Sequence, residues 1–232
     1  ESLHLVWYRM GIAFLSLFIF LALKKKLLKI KKKDFFGIFG VGALVTIHWL
    51  CFFESIKIAN VSIAVVCLST ASLFSALIEP IFFNRKILAY EVILGIIVVL
   101  AFAFVMGAET QYLWGYIYGI ASSLLGTLFT LFNAKYIKKV DATQITMIEM
   151  LAGVVLISGF LLYKEDLTVF TNLISLNDLF YLIILAVLCT SMVFVWMTEI
   201  MRHISPYSLI MAINLEPIYS IVIALLIFGE SE

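Results

Sequence analysis

Few side chains in this sequence could do chemistry, and those that could stand inside apolar runs. Glu216 is the clearest, a carboxyl midway along a hydrophobic stretch, where an ionisable group is costly and marks a functional position by default. Pro217 follows it and cannot donate a hydrogen bond to the carbonyl of Ile213, so a helix kink is expected there. Asn214 adds an amide within the same turn, and Tyr219 adds a hydroxyl three residues beyond Glu216. Together they could contact a polar substrate or carry a proton. His48 brings an imidazole, which titrates near physiological pH, and Trp49 beside it an aromatic wall; Phe194 adds a second such wall. Arg9 has two readings: it snorkels to the nearer interface, or it turns inward to an ion pair or an anion. Asn133 ends a row of small residues and is expected to line a vestibule.

Other chemistries lack their residues. There is no H-E-x-x-H, no G-x-S-x-G and no glycine-rich phosphate loop, and His4, His48 and His203 are scattered. Cys51, Cys67 and Cys189 fall in apolar stretches without metal-ligand spacing. Neither an enzyme, a metal site nor a cofactor is expected.

The elements that must position these groups are eight apolar stretches, close to Leu5–Leu23, Phe35–Phe53, Val61–Phe83, Tyr90–Met106, Trp114–Ala134, Thr146–Tyr163, Leu179–Met197 and Tyr207–Phe228. Each approaches the ~20 residues that carry an α-helix across a bilayer core. Hydrophobic residues make up 64% and charged residues 13% of the chain, far from soluble composition. Every second gap holds the positive charge: Lys24 to Lys33 in the first, then Arg85 and Lys86, then Lys135, Lys138 and Lys139, then Arg202. The other gaps carry only Lys57 and Lys164. That asymmetry predicts a polytopic membrane protein with its Lys-rich loops in the cytoplasm. The Lys24–Lys33 run is a topology anchor beside lipid headgroups rather than a nucleic-acid patch.

A shift of 145 residues lays Phe35–Ile87 over Phe180–Glu232. Only six of the 53 positions are identical, so the match in hydropathy and charge placement carries the comparison: Glu54 meets Glu199, Lys57 meets Arg202, and Trp49 meets Phe194. Spans one to three then pair with spans six to eight. Partners for the fourth and fifth would lie beyond the two ends, and the chain starts at Glu1 without a methionine. The expectation is a longer parent of ten helices in two inverted five-helix repeats, a recurring transporter design. Within the fifth span, Gly115, Gly119, Ser123 and Thr127 form one row and Ser122, Gly126 and Thr130 another, which suits close helix packing in lipid. Glu79 and Glu149 are expected to serve local pairing, as are Glu54 with Lys57 and Glu199 with Arg202.

The segment Leu215-Glu216-Pro217-Ile218-Tyr219-Ser220, running on to Ile227-Phe228-Gly229-Glu230, resembles the ninth-helix signature of the drug/metabolite transporter superfamily, EamA branch. Thr190-Ser191-Met192-Val193-Phe194 through Ile204-Ser205-Pro206 is similar to its eighth helix and following loop, Tyr8-Arg9-Met10 to an arginine-bearing second helix, and Gly95 to a glycine of the fifth. The first repeat departs from the pattern at Asn84-Arg85-Lys86, where a Gly-Glu-like ending is common. The resemblance implies a first repeat in 1–106 lacking its first helix, a loop in 107–113, and a second repeat in 114–232 lacking its last. It implies a carrier of small metabolites, often amino acids or related compounds, with export the expected direction and the cell membrane the expected location. A scaffold or receptor that does not transport is the alternative.

Overall fold

A computed structural model describes residues 2–25, 30–106, 110–164 and 175–215. Among them the chain is helical, without a strand: α1 (Ser2–Leu23), α2 (Lys32–Ile58), α3 (Val61–Ser69), α4 (Ala71–Phe83), α5 (Ala89–Met106), α6 (Leu113–Tyr136), α7 (Ala142–Tyr163), α8 (Leu176–Ala186), α9 (Val193–Ile200) and α10 (Pro206–Ile213). Six helical segments, with Val61–Phe83 and Leu176–Ile200 each counted as one, are long and apolar enough to cross a membrane; α5 is a shorter apolar helix. Each expected span thus meets a helix, and α10 is the described start of the eighth. The outward faces are apolar, with Ile19 54%, Ile97 53% and Leu100 62% exposed, while Ser72, Ser122, Thr127 and Thr146 are buried. Lipid as solvent explains this: the interior holds the small polar residues that let helices approach.

Among the described residues two spans depart from a regular α-helix. The third breaks at Thr70, whose hydroxyl donates to the Cys67 carbonyl at 2.6 Å and whose N–H bonds the same carbonyl at 3.1 Å. Ser69 and Ser72 also bond the carbonyl three residues back, at 2.6 and 2.9 Å. Three such hydroxyls in four residues compete with the α-helical ladder and tighten the turn. In the seventh span a wide π turn covers Val187–Met192 between α8 and α9. There the Thr190 and Ser191 hydroxyls donate to the carbonyls of Leu185 and Ala186, five residues back, at 2.7 and 3.0 Å. Such π turns concentrate at functional sites.

The chain forms two compact units, neither of them a sequence half. Unit 1 takes Glu1–Leu50 and Leu128–His203. In it α1 packs along α7 and against α8 and the π turn, and α7 also meets α9. Gly42 lets α2 reach α7: a Cβ there would lie 2.6 Å from the Ala152 side chain and 2.7 Å from the Glu149 backbone. Unit 2 takes Cys51–Thr127 and Ile204–Glu232, with α4 against α5 and α10, and α3 against α5. The small-residue row of α6 packs here as expected. A Cβ at Gly119 would sit 2.6 Å from that of Cys67, and Ser123 and Thr127 bond to Thr70 and to the Ala71 carbonyl.

Candidate functional site

Four of the residues singled out in the sequence are linked in unit 1. Arg9 turns inward, so the snorkelling reading is set aside. Its Nε donates to the Thr190 hydroxyl on the π turn at 2.6 Å, and its guanidinium carbon stands 4.1 Å above the Trp49 ring. A cation held over an indole face is attracted by the ring's quadrupole. Trp49 meets Phe194 edge-on at 5.3 Å, and Phe194 stacks on Phe129 at 6.0 Å. Phe129 in turn meets the ring of His48 at 5.4 Å. Trp49, Phe194 and Phe129 are only 5%, 9% and 7% exposed, so the cluster is closed in this conformation. Among the described residues Arg9 has no carboxylate partner. Phe129 and Thr190 were not expected: one is a phenylalanine in an apolar run, the other gains its place from the π turn.

Asn133 also lies in unit 1, one turn beyond Phe129 on α6, and is fully packed with 1% exposure. Its side chain neighbours the carboxyl of Glu149 on α7. Glu149 is 0% exposed, and neither of its oxygens meets a well-aligned hydrogen-bond partner. Among the described residues Asn133 Oδ1 and the Thr146 hydroxyl, one turn before Glu149, are unpartnered as well. The local pairing expected of Glu149 is therefore not found.

Asn214 belongs to unit 2, where it caps α10 and donates its Nδ2 to the Ser69 carbonyl at 3.2 Å, beside the break at Thr70. Glu216, Pro217 and Tyr219 lie outside the described residues. Unit 2 also holds Glu79, which pairs as expected with Arg85 (3.1 Å). Arg85 bridges on to Glu91 at 2.7 Å, and the second Glu79 oxygen accepts the Tyr207 N–H at 2.7 Å. Burial alone would lower the Arg85 pKa, but its bonds to Glu91 and Glu79 and their charges raise it instead. The i,i+3 pairs Glu54–Lys57 and Glu199–Arg202 are present at 3.4 and 2.7 Å.

Two recesses lie among the described residues of unit 1. One, of about 320 Å³, lies along Ser16, Phe20, Ser191, Met192 and Trp196; Trp196 is 63% exposed, so this recess opens outward. The other, of about 250 Å³, lies among Lys31, Asp34, Lys139, Asp141 and Gln144.

Long apolar helices with polar side chains turned inward define an integral, multi-pass membrane protein. The chain belongs to the EamA-like transporter family, whose model matches residues 1–107 and 113–231. A crystal structure of another protein superposes with a TM-score of 0.79 over 100% of this chain and 82% of its own, at 12% identity, a likeness of fold alone. No curated protein matches the chain.

Proposed function

We propose that this protein is a secondary transporter moving small carboxylate-bearing metabolites, amino acids or their relatives, across the cell membrane by alternating access. The chain would comprise two inverted repeats, 1–106 without its first helix and 114–232 without its last, joined by a loop at 107–113. The Lys-rich loops would face the cytoplasm, with export as the net direction. The observation that carries this reading is that Trp49 touches Phe194 and Ser69 touches Asn214. Each pair is separated by the 145 residues of the repeat shift. A residue meets its own repeat mate only near the axis relating the repeats, and substrate sites of inverted-repeat carriers lie at the repeat interface.

Trp49 and Phe194 then form the aromatic wall of the substrate site in unit 1, with His48 behind Phe129. Arg9, charged and lacking a carboxylate partner among the described residues, is the group that would take the substrate's carboxylate; an arginine fork suits that geometry. Asn133 extends the polar lining of unit 1. From the sequence alone, Asn214, Tyr219 and Glu216 are added as polar contacts of the eighth span, with Pro217 as its kink.

Counterflow in proteoliposomes with labelled amino acids tests the reading. Exchange of at least one amino acid is expected in the wild type. Arg9→Gln should weaken it about tenfold, as loss of roughly 1.4 kcal/mol would, and should leave the matching decarboxylated amine unaffected. Absence of exchange by folded protein would favour a non-transporting scaffold. Equal losses for acid and amine would remove Arg9 from carboxylate recognition.

A further inference from the structure

We propose that Glu149 is a proton-binding site, holding one proton between its carboxyl and the amide of Asn133 in the core of unit 1. Three buried side chains of unit 1 are orphaned among the described residues: both Glu149 oxygens, Asn133 Oδ1 and Thr146 Oγ1 lack hydrogen-bond partners, and the residues are 0%, 1% and 0% exposed. Of the five buried side-chain oxygens without a partner among the described residues, four are these; the fifth is Ser75 Oγ. Buried polar groups are nearly always bonded, so such a concentration calls for an explanation. A naked carboxylate so placed would be an uncompensated buried charge, which proteins avoid by pairing or by taking up a proton. A proton on Glu149 turns one oxygen into a donor, and the unpartnered amide oxygen of the neighbouring Asn133 can accept from it. One bound proton removes the charge and satisfies two orphans together.

Among the described residues no neighbouring cation does that work instead. On α1, Arg9 is committed to Thr190 and Trp49, while His4 and Tyr8 lie in the first two turns. On α2, His48 stands against Phe129, and Lys32, Lys33 and Asp34 lie in the first turn. On α6, Tyr136 abuts Gly37 and Lys135 lies in the last turn; on α9, Glu199 pairs with Arg202. The wall is tight, with Gly42 of α2 against the Glu149 backbone. The proton would therefore be exchanged when the packing of α2, α6 and α7 loosens, as it must in a rocking transporter. That coupling rests on the transporter reading; proton binding itself does not.

The test is infrared difference spectroscopy of the full-length protein in liposomes without substrate, titrated with pH in water and in deuterium oxide. The wild type should show a protonated-carboxyl stretching band that fades as pH rises and shifts in deuterium oxide. Glu149→Gln should remove that band, Glu149→Asp should keep one at a changed frequency, and Asn133→Leu should move it upward as the hydrogen bond is lost. Glu216→Gln should leave it in place. A Glu149→Gln spectrum that matches wild type, or a band lost instead in Glu216→Gln, overturns the proposal. Counterflow on the same samples separates the two readings: a band without exchange leaves a proton site in a protein that does not transport. Exchange without the band leaves a carrier in which Glu149 has no such role.

Discussion

Glu79 and Glu149 are the same residue in nearly the same circumstance, buried on an apolar helix at 3% and 0% exposure, and they live opposite lives. Glu79 in unit 2 is fully engaged: one oxygen takes Arg85 and the other takes the N–H of Tyr207. That N–H is one of the donors that the first turn of a helix leaves without an intrahelical partner, so a carboxylate there is favoured by the backbone and by the arginine alike. Arg85 extends the network to Glu91, whose carbonyl accepts the Tyr207 hydroxyl at 3.1 Å. Glu149 in unit 1 has none of this. Depth in the membrane and residue type are thus poor guides to a carboxyl's role; its partners decide. A fully partnered carboxylate locks helices together, and an orphaned one is free to bind something that comes and goes.

The comparison is broken most forcefully at the partnered end. Glu79→Leu strips Arg85 of one carboxylate and leaves the Tyr207 N–H unsatisfied. Losing one member of a buried pair costs about 3–5 kcal/mol; because Arg85 is 26% exposed, a loss of about 3 kcal/mol is expected, read as reduced resistance to unfolding in mild detergent. A loss under about 1 kcal/mol would mean the network is decorative.

Gly42→Val attacks the other end through its wall. The new Cβ would overlap Ala152 and the Glu149 backbone, and overpacking of this kind costs about 1–3 kcal/mol. The expected result is a protein less stable by about 2 kcal/mol, with faster hydrogen exchange at the α7 amides around Glu149. Unchanged exchange there would show that α2 does not seal the site. Smaller again is Tyr207→Phe, which removes only the bond to the Glu91 carbonyl and should cost about 1 kcal/mol in the same unfolding measurement.

Much of this was legible from the chain, for local reasons. Span positions and loop charges follow from composition, and the pairs Glu54–Lys57 and Glu199–Arg202 follow from helical spacing. The partner of Glu79 was legible because Arg85 lies six residues on, just past the end of α4. Tyr207 was not, being 128 residues away in sequence. Arg9 was named, but its direction depends on Thr190, which a π turn presents and hydropathy does not reveal. The orphaned state of Glu149 is not legible in the sequence, because the lack of a partner is visible only once the neighbouring helices are in place.

The smallest expected effect is also the most telling. Glu149→Leu combined with Asn133→Leu removes an ionisable group and its amide partner from a fully buried position, a change that would unfold a protein relying on a buried ion pair. Here, among the described residues, the group left unsatisfied beside them is an orphan already present, Thr146 Oγ1. Replacing both partners of a buried hydrogen bond by apolar groups of similar shape is close to neutral, so stability in detergent should stay within about 1 kcal/mol of wild type, on the stabilising side if it moves. A loss near that of Glu79→Leu would show that Glu149 is held by interactions as strong as those in unit 2, and the contrast between the two carboxyls would collapse. Retained stability with lost proton binding would establish it, because a group whose removal costs the fold nothing is one the fold keeps for another purpose.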